Sequence, residues 1–308
     1  RSDMARLNIS LPDDLYKMAD KWRHRVNLSE ICARALRSEL EAAESHRSAQ
    51  ALFSALRSPS PLESRVASLY GLSEVIVSET ACRTEDVREQ LGVAAATYLN
   101  RYLCDDSLLA IGGGRQMWCV VRNMTPRQVR LTITALGVRQ NDPQVLHAHA
   151  NTLSTLLWLL YSPRAKAQLV GEDVEKIWKP DLSVEAFPKH FVLGSCGPFD
   201  ANSYLARLLG KEISTALLKR HTRGDFLYQF FDKNGELLPP LTLEHQSMLS
   251  AESLRQLSQR ADTRIVLVAG GSEKLRTIEF TLRARLCNVL VTDLLTARKL
   301  LGTDLEDV

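Results

Sequence analysis

Two runs constrain this chain most: Arg264-Ile265-Val266-Leu267-Val268-Ala269 and Asn288-Val289-Leu290-Val291-Thr292. Each is short, rich in β-branched and aliphatic residues, and apolar on both faces when extended. Between them Gly270-Gly271-Ser272 turns the chain into a helical stretch that begins near Glu273-Lys274. Strands buried on both faces and joined through helices belong to a parallel sheet covered on both sides. The same alternation occurs earlier. Glu74–Ser78 reads as a strand, and a helix runs from Thr84 towards Leu103 with Glu85 and Asp86 in its first turn. Leu108–Ile111 is the next strand, ending in Gly112-Gly113-Gly114; a helix from Arg115 to about Asn123 and a strand over Val129–Leu136 follow. Asp293 is placed to cap a last helix through Leu301. These elements predict a doubly wound, Rossmann-like α/β domain.

The N-terminus has a different pattern. In Arg6-Leu7-Asn8-Ile9-Ser10-Leu11 polar and apolar residues alternate, and Pro12 then suits the first turn of a helix. A lone six-residue strand needs a partner, and the simplest is the same strand of a second copy. The two would form an antiparallel ribbon that fits the DNA major groove. Leu15, Met18, Ala19 and Trp22 keep helical spacing; Leu28-Ser29-Glu30 opens a second helix carrying Ile31, Ala35, Leu36 and Leu40. Together these residues resemble the ribbon-helix-helix family of DNA-binding proteins. The resemblance implies that Arg6, Asn8 and Ser10 read base edges, and that the second helix start, at Asn27, Leu28 and Ser29, holds a DNA phosphate. Lys17, Lys21, Arg23 and Arg25 are candidates for further phosphate contacts.

Ser58-Pro59-Ser60-Pro61 is the clearest break in the chain. The expected organisation is a DNA-binding module over 4–46, a linker over 47–61 and a large domain over 62–308. The 308 residues carry a net charge of +3, too mild to decide for or against nucleic acid. Six scattered cysteines form no C-x-x-C pair, which suits buried thiols in a reducing cytoplasm better than zinc or disulfides. No apolar run approaches the roughly 20 residues of a membrane span, and no signal peptide is visible.

Both glycine turns, 112–114 and 270–271, sit at the carboxyl ends of strands, where open α/β sheets bind ligands. Neither is a P-loop or a full G-x-G-x-x-G unit, so no nucleotide cofactor is expected. Glycine at such a turn lets backbone amides approach an anion at the next helix start, and Lys274 can supply a charge to it. Two readings stand here: a site for a small anion, or plain tight connections.

Three stretches of the large domain resemble the sugar-binding domain of SorC-family transcriptional regulators, the group that includes DeoR-type regulators. They are Val268–Lys274 with Val289–Asp293, Gly224-Asp225-Phe226 with Phe230–Gly235, and Gly112 to Met117. The resemblance implies a fold like phosphosugar isomerases, a sensor rather than an enzyme, and no catalytic residues. It implies an effector cleft lined by Gly112, Gly113, Gly114, Arg115, Gln116 and Met117, by Asp225, and by Lys274 on a phosphate. Gly194-Ser195-Cys196-Gly197 is similar to the family's turn at another strand end. The chain departs from the family in its N-terminal module, usually a helix-turn-helix, in Gln116 where Thr is usual, and in Gly113 where Trp is common. His147 and His149, two residues apart, do not face each other on a helix and read as hydrogen-bonding residues rather than metal ligands.

The leading expectation is a cytoplasmic, sequence-specific transcriptional regulator. It would bind double-stranded operator DNA with repeated half-sites and answer to a phosphorylated sugar or similar small anion. It would act as a homodimer or homotetramer, with RNA polymerase as a further partner if it activates. The alternatives are a DNA-binding oligomer whose sugar domain is only structural, and a phosphosugar-metabolising enzyme.

Overall fold

Ser60 and Pro61 open the first helix among the described residues. The computed structural model describes residues 59–78, 84–138, 146–170, 189–241 and 246–302. The chain divides into two units between Ser58 and Pro59, and these residues all belong to the second. The expected ribbon-helix-helix module lies outside the described residues, and with it Arg6, Asn8, Ser10, Asn27, Leu28 and Ser29. Helix α1 (Pro61–Tyr70) has Pro at its start and a reciprocal cap: Ser60 Oγ accepts from the Glu63 amide, and Glu63 accepts from the Ser60 amide. The other Glu63 oxygen accepts from Val77 N at 2.8 Å, fixing α1 to strand β1 (Glu74–Ser78).

The chain continues through α2 (Thr84–Tyr102), β2 (Ser107–Ile111), α3 (Arg115–Arg122), β3 (Leu131–Ala135) and β4 (Gly137–Val138). A 3-10 turn (Leu146–Ala148) leads into α4 (Ala150–Tyr161), β5 (Lys166–Gln168), β6 (His190–Gly194) and β7 (Cys196–Pro198). Then come α5 (Tyr204–Lys219), β8 (Gly224–Phe226), β9 (Gln229–Phe231), β10 (Gln246–Ser247) and α6 (Ala251–Ser258). Last are β11 (Thr263–Val268), a 3-10 turn (Ser272–Lys274), α7 (Leu275–Arg283), β12 (Val289–Asp293) and α8 (Leu294–Leu300).

Seven of the described strands form one sheet in the order β1-β12-β11-β6-β2-β3-β5, and every pairing in it is parallel. The structure is therefore mixed α/β with a mainly parallel sheet. Alternate residues serve opposite faces. Val266, Val268, Val289 and Val291 join Leu91, Leu99, Met117, Val120 and Leu157 in one core; Ile265, Leu267 and Leu290 join Val66, Leu254, Ile278 and Ala297 in the other. This double burial is why the strands read as unbroken apolar runs. A third, smaller cluster gathers Phe199, Leu205, Leu209, Tyr228 and Phe230 around α5 and the antiparallel strands β7, β8 and β9.

Strand order places the site. From β2 the chain proceeds outward to β3 and β5; from β6 it proceeds the other way, to β11 and β12. Neighbours β2 and β6 thus mark the point where winding reverses, with Ile111 paired to Leu193 at their carboxyl ends. Loops leaving such a point diverge and leave a crevice between them.

Candidate functional site

A cleft of about 340 Å³ opens at this reversal. Gly113–Gln116 line it from the β2 side, and Ser195–Pro198 from the β6 side. Asp225, Leu227 and Tyr228 close it from the β8–β9 hairpin, and Glu273 and Lys274 from the turn after β11. Glycine at the strand ends is a packing requirement here. A Cβ at Gly112 would meet Leu227 Cδ2 at 2.7 Å, and one at Gly194 would meet Leu227 Cγ at 2.7 Å. Leu227 thus seats the hairpin tip over the ends of β2 and β6. Leu227 and Tyr228 hold left-handed backbones, φ 48° and 67°, which side chains other than glycine adopt only under strain.

The first turn of α3 faces the cleft. Its cap, Gly114 (φ 120°), offers no side chain, so the amides of the first turn have no side-chain acceptor. The Gly114 amide itself donates to Ala148 O at 2.8 Å. At Gly113 the space for a side chain is taken by Tyr204, whose hydroxyl donates to that same carbonyl at 3.0 Å.

The opposite turn is braced from below. Asp293 accepts from Thr296 N at 2.9 Å and so caps α8, and its Oδ2 also accepts from Gly271 N at 2.9 Å. The buried carboxylate, 4% exposed, thereby fixes the bend that presents Lys274. Burial holds the Lys274 ammonium below its ordinary range; Arg88 and Arg115 push the same way and Glu273 opposes them. A nearby anion would relieve that cost.

Asp225 leaves part of its surface open to the cleft. Burial raises its carboxyl to about 7, against the opposing effects of the Tyr228 amide, 3.4 Å away, and of Lys274. It can accept from a ligand hydroxyl when ionised and donate when neutral. Cys196 beside it is fully packed, and burial pushes its thiol up to about 12.

Of the residues expected in the cleft, Gly113, Gly114, Arg115, Gln116, Asp225 and Lys274 come together in its wall. Gly112 lies behind it under Leu227, and Met117 is fully buried in the core with Val120 and Val121. The Gln116 side chain is buried and turns inward, donating from Nε2 to Arg88 O at 2.9 Å. His149 forms hydrogen bonds, Nδ1 accepting from Asn151 N and Nε2 donating to Val138 O, and His147 stacks edge-on near Trp118. The sequence reading missed Arg88, Tyr204 and Tyr228. Arg88 and Tyr204 reach the cleft from elements remote in the chain, and Tyr228 stands three residues from Asp225 on the same hairpin.

Residues 54–157 and 189–302 match the Sugar-bind family model, whose description is "putative sugar-binding domain". The chain is 27% identical over 249 residues to the deoxyribonucleoside regulator of Bacillus subtilis, covering 76% of this chain and 77% of that protein. It is also 27% identical over 251 residues to the transcriptional regulator LsrR of Enterobacter sp. (strain 638), covering 78% and 75%. The fold is similar to that of the full-length sorbitol operon regulator SorC from Klebsiella pneumoniae. The TM-score is 0.59 at 20% identity, over 95% of this chain and 100% of that one.

Proposed function

Because the chain belongs to the Sugar-bind family of sugar-binding domains, we propose that it is a sugar-sensing transcriptional regulator with its effector in the cleft between β2 and β6. One observation carries the reading: the desolvated Lys274 ammonium and the uncapped first turn of α3 line the same cleft. Free amides and a half-buried cation together suit a phosphate or similar oxyanion. Asp225 and Tyr228, also in the wall, suit the hydroxyls of the sugar. The regulators among its relatives support a sensor over an enzyme.

DNA binding is assigned to residues 4–46, with Arg6, Asn8 and Ser10 on base edges and Asn27, Leu28 and Ser29 at a phosphate. The protein acts in the cytoplasm as a homodimer or homotetramer on repeated half-sites, and an activating mode would add contact with RNA polymerase. The effector shifts DNA affinity only by the difference in its own affinity for the two arrangements of the assembly.

The test is a thermal-shift screen against phosphorylated sugars, nucleotides and small carboxylates, with Lys274→Ala alongside. A ligand at 100 times its dissociation constant adds about 2.7 kcal/mol. A stabilising sugar phosphate whose effect is lost in Lys274→Ala is the expected result. A second reading, a structural domain without a ligand, is favoured by the inward turn of the Gln116 amide. No stabilisation by any compound, with both proteins folded, would establish that reading instead.

A further inference from the structure

Arg88 enters the cleft wall from α2, a helix that starts beside β1 at the far edge of the sheet. What brings it there is a close helix crossing. A Cβ at Gly92 would meet Cys119 O at 2.7 Å, so α2 and α3 touch backbone to backbone. The preceding turn of α2, which carries Arg88, then lies against the first turn of α3. There Gln116, 4% exposed, donates from Nε2 to the Arg88 carbonyl at 2.9 Å. Its amide joins the two helix starts.

Charges of both signs line the cleft: its carboxylates are Asp200, Asp225 and Glu273. Arg88, Arg115 and Lys274 come from three different elements, and none of them makes an ion pair among the described residues. Glu89, next to Arg88 in the chain, is engaged by Arg122 and by Asn123 Nδ2. Glu273 is folded back on its own turn, where its Oε2 would lie 2.6 Å from a Cβ at Gly271. Arg88 and Arg115 lie near enough to Lys274 to disfavour its charge, and an anion seated among the three would relieve that repulsion.

We propose that Arg88 is an anion-binding side chain of this cleft and that Gln116 is its positioning residue, holding the Arg88 turn of α2 against α3. This rests on the reading of the cleft as an anion site. A guanidinium adds what Lys274 lacks, a planar pair of donors that fixes the orientation of an oxyanion. Gln116 acts without touching the ligand, which accounts for its inward turn.

The experiment is calorimetric titration of the full chain with inorganic phosphate, in the wild type and in Lys274→Met, Arg88→Ala, Arg88→Lys, Gln116→Met and the Arg88→Ala/Gln116→Met double variant. Circular dichroism checks that each is folded. Arg88→Ala is expected to weaken phosphate binding about tenfold or more, and Arg88→Lys to restore only part of it. Gln116→Met is expected to weaken it by about three- to tenfold. The double variant should bind within about twofold of Arg88→Ala, because Gln116 works through Arg88. Wild-type affinity in Arg88→Ala, with binding lost in Lys274→Met, would overturn the role of Arg88 and leave the anion site standing. Losses that multiply in the double variant would overturn the positioning role of Gln116. No phosphate binding by the wild type, or none that depends on Lys274, would remove the anion site and this proposal with it.

Discussion

Asp225→Asn should make the ligand-free protein more stable, and the gain should grow with pH. The carboxyl moves from 3.8 to about 7 on folding, chiefly through burial. A raised acid favours the folded state below its unfolded value, and that advantage is lost as pH rises through the folded value. The window is therefore about pH 4 to 7. Above it, the native protein holds a carboxylate that water would have solvated better. A shift of about 3 units corresponds to roughly 4 kcal/mol at full effect. Asp225 is partly open to the cleft, so about 2–4 kcal/mol is expected at pH 8. Below about pH 4 the carboxyl is mostly neutral in both states, and the gain should shrink to under about 1 kcal/mol. Asparagine keeps the shape and can still accept from the Tyr228 amide. Urea unfolding of both proteins from pH 4 to pH 8 measures the difference directly. An increment that does not change with pH, or a variant less stable than wild type at pH 8, would refute burial as the cause. The same substitution should weaken sugar phosphate binding, because groups strained for a ligand are held at the expense of stability.

Asp293→Ala removes the α8 cap and the Gly271 brace together and should cost about 2–4 kcal/mol in chemical unfolding; a loss below about 1 kcal/mol would mean that the turn holds itself. Gly224→Ala would bring a Cβ to 2.5 Å from Thr277 Oγ1, and should destabilise by about 1–3 kcal/mol while displacing the hairpin from the cleft. A thermal midpoint equal to wild type would show that Thr277 has room to move. Asn8→Ala should cost about 1–3 kcal/mol of sequence-specific DNA binding and relax one base position. Unchanged operator affinity in a gel shift would dismiss the ribbon assignment.

The strands that read most plainly in the sequence are those the fold buries most completely. Glu74–Ser78 is β1 as expected; Leu108–Ile111 differs from β2 by one residue at its start, and Arg264–Ala269 and Asn288–Thr292 are each offset by one residue at both ends from β11 and β12. Asp293 was legible as a cap because a cap is a local device; its bond to the Gly271 amide was not, because that bond spans two βα units. The cleft divided along the same line. Its glycine turns and Lys274 stand next to strands that could be seen, whereas Arg88 depends on how α2 crosses α3. Met117 could have been placed inside from sequence, since Met117, Val120, Val121 and Met124 follow helical spacing and all pack in one core. The motif around it drew attention to the loop instead. Strand order was beyond reach, because the reversal joins Ile111 to Leu193, segments whose patterns say nothing about each other.

The pairing of β1 with β12 has a consequence for how the domain comes to exist. Glu74 to Ser78 align with Val289 to Asp293, so the first strand of the sheet leans on the last. During synthesis β1 emerges early and has no ladder to join until nearly all of the domain has left the ribosome. Its Val75 and Ile76, buried in the finished fold, stay uncovered through that interval. Closing so long a loop makes the step slow and leaves unpaired strand edges open to other chains meanwhile. A message cut short before Val289 would strand two edges at once, that of β1 and that of β11, and yield a product prone to aggregate rather than a smaller sensor.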